Sequence, residues 1–197
     1  MNWLLNDADL APAYAFHRHM LQHLQAFAPG QRWVLKAPPH LWWLDHLFET
    51  YPDAQVVMTH RDPAQVMASN ASLIEWLRSR VHPVDGVALG REQIEQWQLA
   101  LQRATAFRDS ERNAGQFLDT GYADFIADPM EVVAAVYARF GFELTDAARD
   151  AMTAFLAGNR QGQHGKHVYA ADTYGLSAPV LHREFADYIR RFNVPIV

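Results

Sequence analysis

Residues 55–69 read QVVMTHRDPAQVMAS, and the fold turns on them. Gln55 to Thr59 is a short run rich in β-branched and apolar side chains, which suits a buried strand. Asp62-Pro63 follows, pairing a helix-capping residue with a proline suited to the first helical position. Val66, Ser69, Asn70, Leu73 and Leu77 then recur at helical spacing. A strand therefore ends in a polar turn and feeds directly into a capped helix. Ligands of open α/β sheets bind beyond the carboxyl ends of strands, so this turn lies where a site belongs. The helix N-terminus offers free N–H groups to an anion, and Arg61 adds a planar, permanently charged fork that matches phosphate. Ser69 falls about two turns along the same helix, within reach of the same anion. The plainer reading is an Arg61–Asp62 pair that only orders the turn.

On the N-terminal side, Pro12 to about Phe27 reads as a helix, with Asp9 as its cap and Pro29-Gly30 as its stop. Arg32 to Lys36 (RWVLK), bounded by Gly30 and Pro38, reads as a buried strand, and Leu41 to Thr50 as a helix. With the strand at 55–59 these pieces predict a β-α-β unit with two parallel strands. On the C-terminal side, Arg91 to Arg112 reads as a long amphipathic helix and Gln116 to Thr120 as a third strand. Helices are expected at Pro129 to Phe140, closed by Gly141, at about Asp146 to Ala157, and at Pro179 to Phe192. The polar stretch Asn159 to Gly175 separates the last two. Strands alternating with helices make this a helix-rich α/β chain, read as one domain over residues 1–197.

Composition narrows the function. Half of the 197 residues are hydrophobic and 12% are aromatic, which excludes a disordered chain. A net charge of −5 supplies no global field for nucleic acid or anionic lipid, so any anion must be held by a local site. The absence of cysteine removes thiol catalysis and Cys-based zinc sites, and suits a cytoplasmic protein. No stretch approaches the length of a membrane span. The ten histidines invite a metal reading, but His17, His19 and His23 lack the HExxH arrangement, and no metal is expected. Trp33, Trp42, Trp43 and Phe48 read as core packing before they read as an acceptor pocket. His60-Arg61-Asp62 matches three letters of the kinase catalytic loop, yet Met67 stands where that loop needs Asn, and no Gly-rich loop or DFG is present.

Arg61 and Ser69, eight residues apart after a strand, resemble the 3′-phosphate-binding segment of sulfotransferases that use 3′-phosphoadenosine-5′-phosphosulfate (PAPS). The wider string WVLKAPPHLWWLDHLFETYPDAQVVMTHRDPAQVMAS is similar to the bacterial-type branch of that family. The similarity continues through QFLDTGYADFIADPMEVVAAVYARFGFEL to HGKHVY and YGL. The resemblance implies a P-loop-like parallel sheet flanked by helices, with PAPS as sulfuryl donor and a small-molecule, carbohydrate or lipid acceptor. It assigns Arg61 and Ser69 to the 3′-phosphate, Tyr122 to the neighbourhood of the adenine, and Lys166 to the donor phosphates. Lys36 takes the place of a lysine near the sulfuryl end. His40 falls near a histidine that serves as general base, although the family's cytosolic members place it two residues after the lysine and here the gap is four.

The family also holds the donor's 5′-phosphosulfate with an N-terminal strand–loop–helix containing a Gly-Thr-Thr-like loop. None of the ten glycines offers such a loop. The resemblance thus implies the C-terminal portion of the family domain, either a fragment or a natural truncation, without the phosphate-loop strand. Two other readings stay open: a non-catalytic nucleotide-binding remnant, and a P-loop-like kinase relative, the latter opposed by the absence of GxxxxGK[ST].

Overall fold

The computed structural model describes residues 2–110, 112–159 and 170–197. Its described elements are α1 (Asn2–Asn6), α2 (Ala11–Phe27), α3 (Leu44–Thr50), β1 (Val56–His60), α4 (Pro63–Arg78), α5 (Gly86–Asp109), β2 (Phe117–Gly121), α6 (Tyr122–Ala127), α7 (Pro129–Phe140), α8 (Asp146–Gly158), α9 (Ala178–Glu184) and α10 (Ala186–Arg191). Short 3-10 turns occupy Pro38–Trp42, Ala114–Gln116 and Ala171–Tyr174. The α/β class and the helical bias expected from the sequence both hold.

The sheet differs from expectation. β1 pairs in parallel with β2, in a register running from Val56↔Phe117 to His60↔Gly121. Arg32 to Lys36 forms no strand, and the short β-α-β unit built on it does not exist among the described residues. Its side chains are exposed, Val34 at 94%. An extended segment becomes a strand only when a neighbour takes its backbone hydrogen bonds, and a local apolar run cannot supply that neighbour. The crossover between the true parallel strands is instead made by α4 and α5.

The chain divides into two compact units. The first comprises Met1–Ala54 and Leu99–Gln116. Within it Phe48 stacks on Phe107 with ring centroids 5.3 Å apart, and Gln116 donates to the carbonyls of Pro52 and Ala54 at 2.8 and 2.7 Å. Phe48 is therefore a packing residue, the plainer of its two readings. Ala11 donates its N–H to Asp9 at 2.9 Å, but Asp9 stands one residue outside the cap position expected for it, which Leu10 occupies without a side-chain capping bond.

The second unit comprises Gln55–Gln98 and Phe117–Val197. Here β1 turns Met58 and His60 inward and leaves Val57 and Thr59 exposed, the alternation of a strand covered on one face. α4 starts where the sequence signals: Asp62 accepts from the N–H of Ala64 at 2.8 Å and Pro63 fills the first turn. It buries Met67, Ala68, Ala71 and Ser72. α5 begins at Gly86, five residues before the expected start, and passes Gly90 close against the backbone of Tyr174. α7 matches its expected bounds and ends on Gly141 at φ 68°, a left-handed cap that glycine adopts without steric cost. The final helix is split in two at Phe185, where φ −109° and ψ 20° interrupt the helical run.

Candidate functional site

The register of the sheet builds the site. His60 and Gly121 are paired at the carboxyl ends of neighbouring parallel strands, so the next residues, Arg61 and Tyr122, emerge side by side. The Arg61 guanidinium carbon sits 4.2 Å from the centroid of the Tyr122 ring, a cation–π contact. Its Nε donates to Gln65 Oε1 at 2.9 Å, which fixes the side chain along the first turn of α4. With Nε engaged, hydrogen bonding of a ligand at this guanidinium would fall to its two terminal nitrogens.

A cleft of about 580 Å³ opens along the same face of α4. Arg61, Gln65, Ser69, Leu73 and Trp76 follow one another at helical spacing along its wall, with Asn70 beside them. This volume lies within the roughly 300–1,000 Å³ usual for small-molecule sites. The wall is graded: a guanidinium, an amide and a hydroxyl at the strand end, then apolar Leu73 and Trp76, which are 53% and 55% exposed. Of the helical face read from the sequence, Val66, Ser69, Asn70 and Leu73 line the cleft and Leu77 does not, while the packed side of α4 is the Met67–Ala71 row. Asp62 does not pair with Arg61. Its carboxylate accepts from Ala64, His182 and Val197 instead, so the reading of Arg61 as a mere partner of Asp62 fails.

Two more of the residues assigned by the resemblance, His40 and Lys36, belong to the first unit. His40 lies in the Pro38–Trp42 turn, half-buried, with Nδ1 2.8 Å from the Tyr14 hydroxyl. That hydroxyl also donates to the carbonyl of Trp43 at 3.4 Å. Burial, with His17 as the lesser cause, lowers the pKa of His40 below its ordinary 6.5, so the ring is neutral at pH 7. Tyr14 is pushed up to about 12, chiefly by burial and then by Asp45 and Tyr51, and stays a neutral hydroxyl. A neutral imidazole whose Nδ1–H donates to that hydroxyl can take a proton at Nε2. Lys36 lies exposed in the extended segment that precedes the turn.

The structure thus gathers Arg61, Ser69 and Tyr122 of the six assigned residues into one neighbourhood of the second unit. His40 and Lys36 lie in the first unit, and Lys166 lies outside the described residues. Sequence reasoning missed Gln65 and Tyr14. Gln65 carried a signal, standing four residues after Arg61 on a helix. Tyr14 carried none, being 26 residues from His40. No group of three or more metal-ligating side chains occurs among the described residues, and no helix of the described chain is long and apolar enough to cross a membrane.

Comparison with known proteins identifies the family. The sequence model of the sulfotransferase family matches residues 4–146. The chain is similar to the crystal structure of sulfotransferase STF9 from Mycobacterium avium, with 29% identity and a TM-score of 0.89 over 99% of this chain and 50% of that one. It is also similar to sulfotransferase STF1 from Mycobacterium tuberculosis H37Rv, with 37% identity and a TM-score of 0.77 over 94% of this chain and 47% of that one. No curated protein matches. The chain belongs to the sulfotransferase family, and it spans about half the length of these two solved relatives.

Proposed function

We propose that this chain serves sulfuryl transfer from PAPS to a hydroxyl or amine acceptor. The observation that carries the reading is the convergence of Arg61, Ser69 and Tyr122 at the ends of two parallel strands. The terminal guanidinium nitrogens of Arg61 and the Ser69 hydroxyl are the donors for the 3′-phosphate. Tyr122, held against the guanidinium, is the ring nearest the adenine. PAPS, when bound, supplies an activated sulfuryl group. The chain's own part is to hold it in place, to offset charge and to take up one proton.

His40 is the proton acceptor in this reading. Its lowered pKa keeps it neutral at pH 7, and Tyr14 orients its ring. Lys36 is the mobile point charge for the leaving phosphate. Lys166 serves the donor phosphates. The acceptor is a small molecule, a carbohydrate or a lipid.

Two measurements test this. The chain should bind adenosine 3′,5′-bisphosphate in preference to ATP, whereas a kinase relative would reverse that order. Sulfuryl transfer to a panel of phenols, sugars and amines then separates an enzyme from a module that only binds the nucleotide.

A further inference from the structure

The turn that carries Arg61 is gripped on both sides by the last stretch of the chain. On one side stands His60, only 5% exposed. Its Nε2 lies 2.8 Å from Asp119 Oδ1 and its Nδ1 3.2 Å from the Tyr188 hydroxyl, while its ring stacks on Phe192 at 4.2 Å. The backbone of Arg61 itself lies beside the same hydroxyl. On the other side stands Asp62, 2% exposed. Its carboxylate accepts from the Ala64 N–H at 2.8 Å, from His182 Nε2 at 2.9 Å and from the Val197 N–H at 3.0 Å.

α9, α10 and the residues beyond them therefore meet the two residues that flank Arg61 in sequence. None of these contacts reaches the cleft: His60 and Asp62 are buried, and the cleft wall is made by Arg61 and α4. A buried carboxylate with three donors and a buried imidazole with two partners hold a turn far more firmly than the loop's own chain stiffness would. Arginine recognises phosphate through a fork whose direction matters, so the direction of the Arg61 backbone sets how well that fork meets the anion.

We infer that His182 and Tyr188 are positioning residues for the 3′-phosphate site, coupling the C-terminal helices to the aim of Arg61. This rests on the reading of Arg61 and Ser69 as that site. His182 acts through Asp62 and the first turn of α4. Tyr188 acts through His60 and the Arg61 backbone. Neither touches the nucleotide.

The test compares two ligands on the folded chain: adenosine 3′,5′-bisphosphate and adenosine 5′-monophosphate, which lacks the 3′-phosphate. Tyr188→Phe keeps the ring and its stacking and removes one hydroxyl, and His182→Ala removes one donor to Asp62. Each should weaken bisphosphate binding roughly tenfold, the scale of one lost hydrogen bond, and leave monophosphate binding as it was. His182→Gln, which restores an N–H donor, should recover most of the loss. Unchanged bisphosphate affinity in both variants, or an equal fall for both ligands, overturns the inference. Should His182→Ala fail to fold, Tyr188→Phe decides alone. A wild-type chain that does not prefer the bisphosphate removes the underlying site and this inference with it, an outcome distinct from a preference that the variants leave untouched.

Discussion

The hydroxyl of Tyr14 lies 2.8 Å from Nδ1 of His40. The hydroxyl has one proton to give: donated to Trp43 O at 3.4 Å, it makes His40 donate Nδ1–H and keep its lone pair on Nε2, and donated to Nδ1 it leaves the His40 proton on Nε2. The first of these tautomers is the one a general base needs. Tyr14→Phe removes the constraint at the cost of one hydroxyl. In a sulfuryl-transfer assay it should lower turnover about tenfold with acceptor KM little changed, and His40→Ala should lower it by roughly two orders of magnitude or more. The two losses should not add, since Tyr14 acts through His40. Near-normal turnover in His40→Ala would remove both residues from the mechanism.

The pH dependence has a definite sign. The pKa of His40 is lowered from 6.5 in the folded chain, first by burial and then by His17. The acid limb of the turnover profile should therefore fall below pH 6.5. The same shift acts on stability. Between the folded and unfolded pKa values the unfolded chain binds more protons, so stability rises with pH through that window and is lost on acidification. Thermal melting followed from pH 7 down to pH 5 should show that loss, and His40→Ala should flatten it.

Asp62 behaves in the opposite chemical sense. Burial alone would raise its pKa, but the hydrogen bonds from Val197, Ala64 and His182 outweigh burial and hold it below 3.8. A carboxylate with a depressed pKa contributes stability above its unfolded value, and that contribution disappears as pH falls through the folded one. Asp62→Asn keeps a capping oxygen but sets an amide NH2 among the donors of His182 and Val197, and should cost about 1–3 kcal/mol at pH 7 through that buried network. The gap between the two proteins should narrow below about pH 4. Denaturant unfolding at pH 7 and pH 3 checks both statements.

Gly90 sits inside α5, where alanine would ordinarily gain up to about 1 kcal/mol of helix propensity. A Cβ there would overlap the carbonyl oxygen of Tyr174, a backbone atom with little freedom to give. Tyr174 is itself buried and donates to Glu75 Oε2 at 2.7 Å. Gly90→Ala should lower the melting temperature, with overpacking worth about 1–3 kcal/mol outweighing propensity. An unchanged or raised melting temperature would contradict this contact.

What could be read from the sequence was what is decided locally. The strand at 55–59, the Asp62-Pro63 start and the Gly141 stop each depend on a few adjacent residues, and each appears within a residue of its expected place. Arg32 to Lys36 failed because a strand is a property of two segments, and β1 takes β2 as its partner across more than fifty residues. The early start of α5 was hidden because Gly86 and Gly90 weaken a helical reading, although here they admit the backbone of Thr173 and Tyr174. The site divides in the same way. Arg61 and Ser69 lie within eight residues of one another, in the turn before α4 and on α4 itself, and were legible together. Tyr14, His182 and Tyr188 meet their hydrogen-bond partners across 26, 120 and 128 residues of chain, distances at which spacing carries no information.

The central claim is that Arg61 and Ser69 hold the 3′-phosphate of a PAPS-type nucleotide, and calorimetric titration with adenosine 3′,5′-bisphosphate tests it most directly. The wild-type chain should bind the bisphosphate more tightly than adenosine 5′-monophosphate. Arg61→Ala should lose roughly ten- to a hundredfold in bisphosphate affinity, the scale of a charged hydrogen-bond pair, and Ser69→Ala about tenfold or less. Neither should change monophosphate binding. Equal affinities of the wild-type chain and Arg61→Ala for the bisphosphate would contradict the assignment.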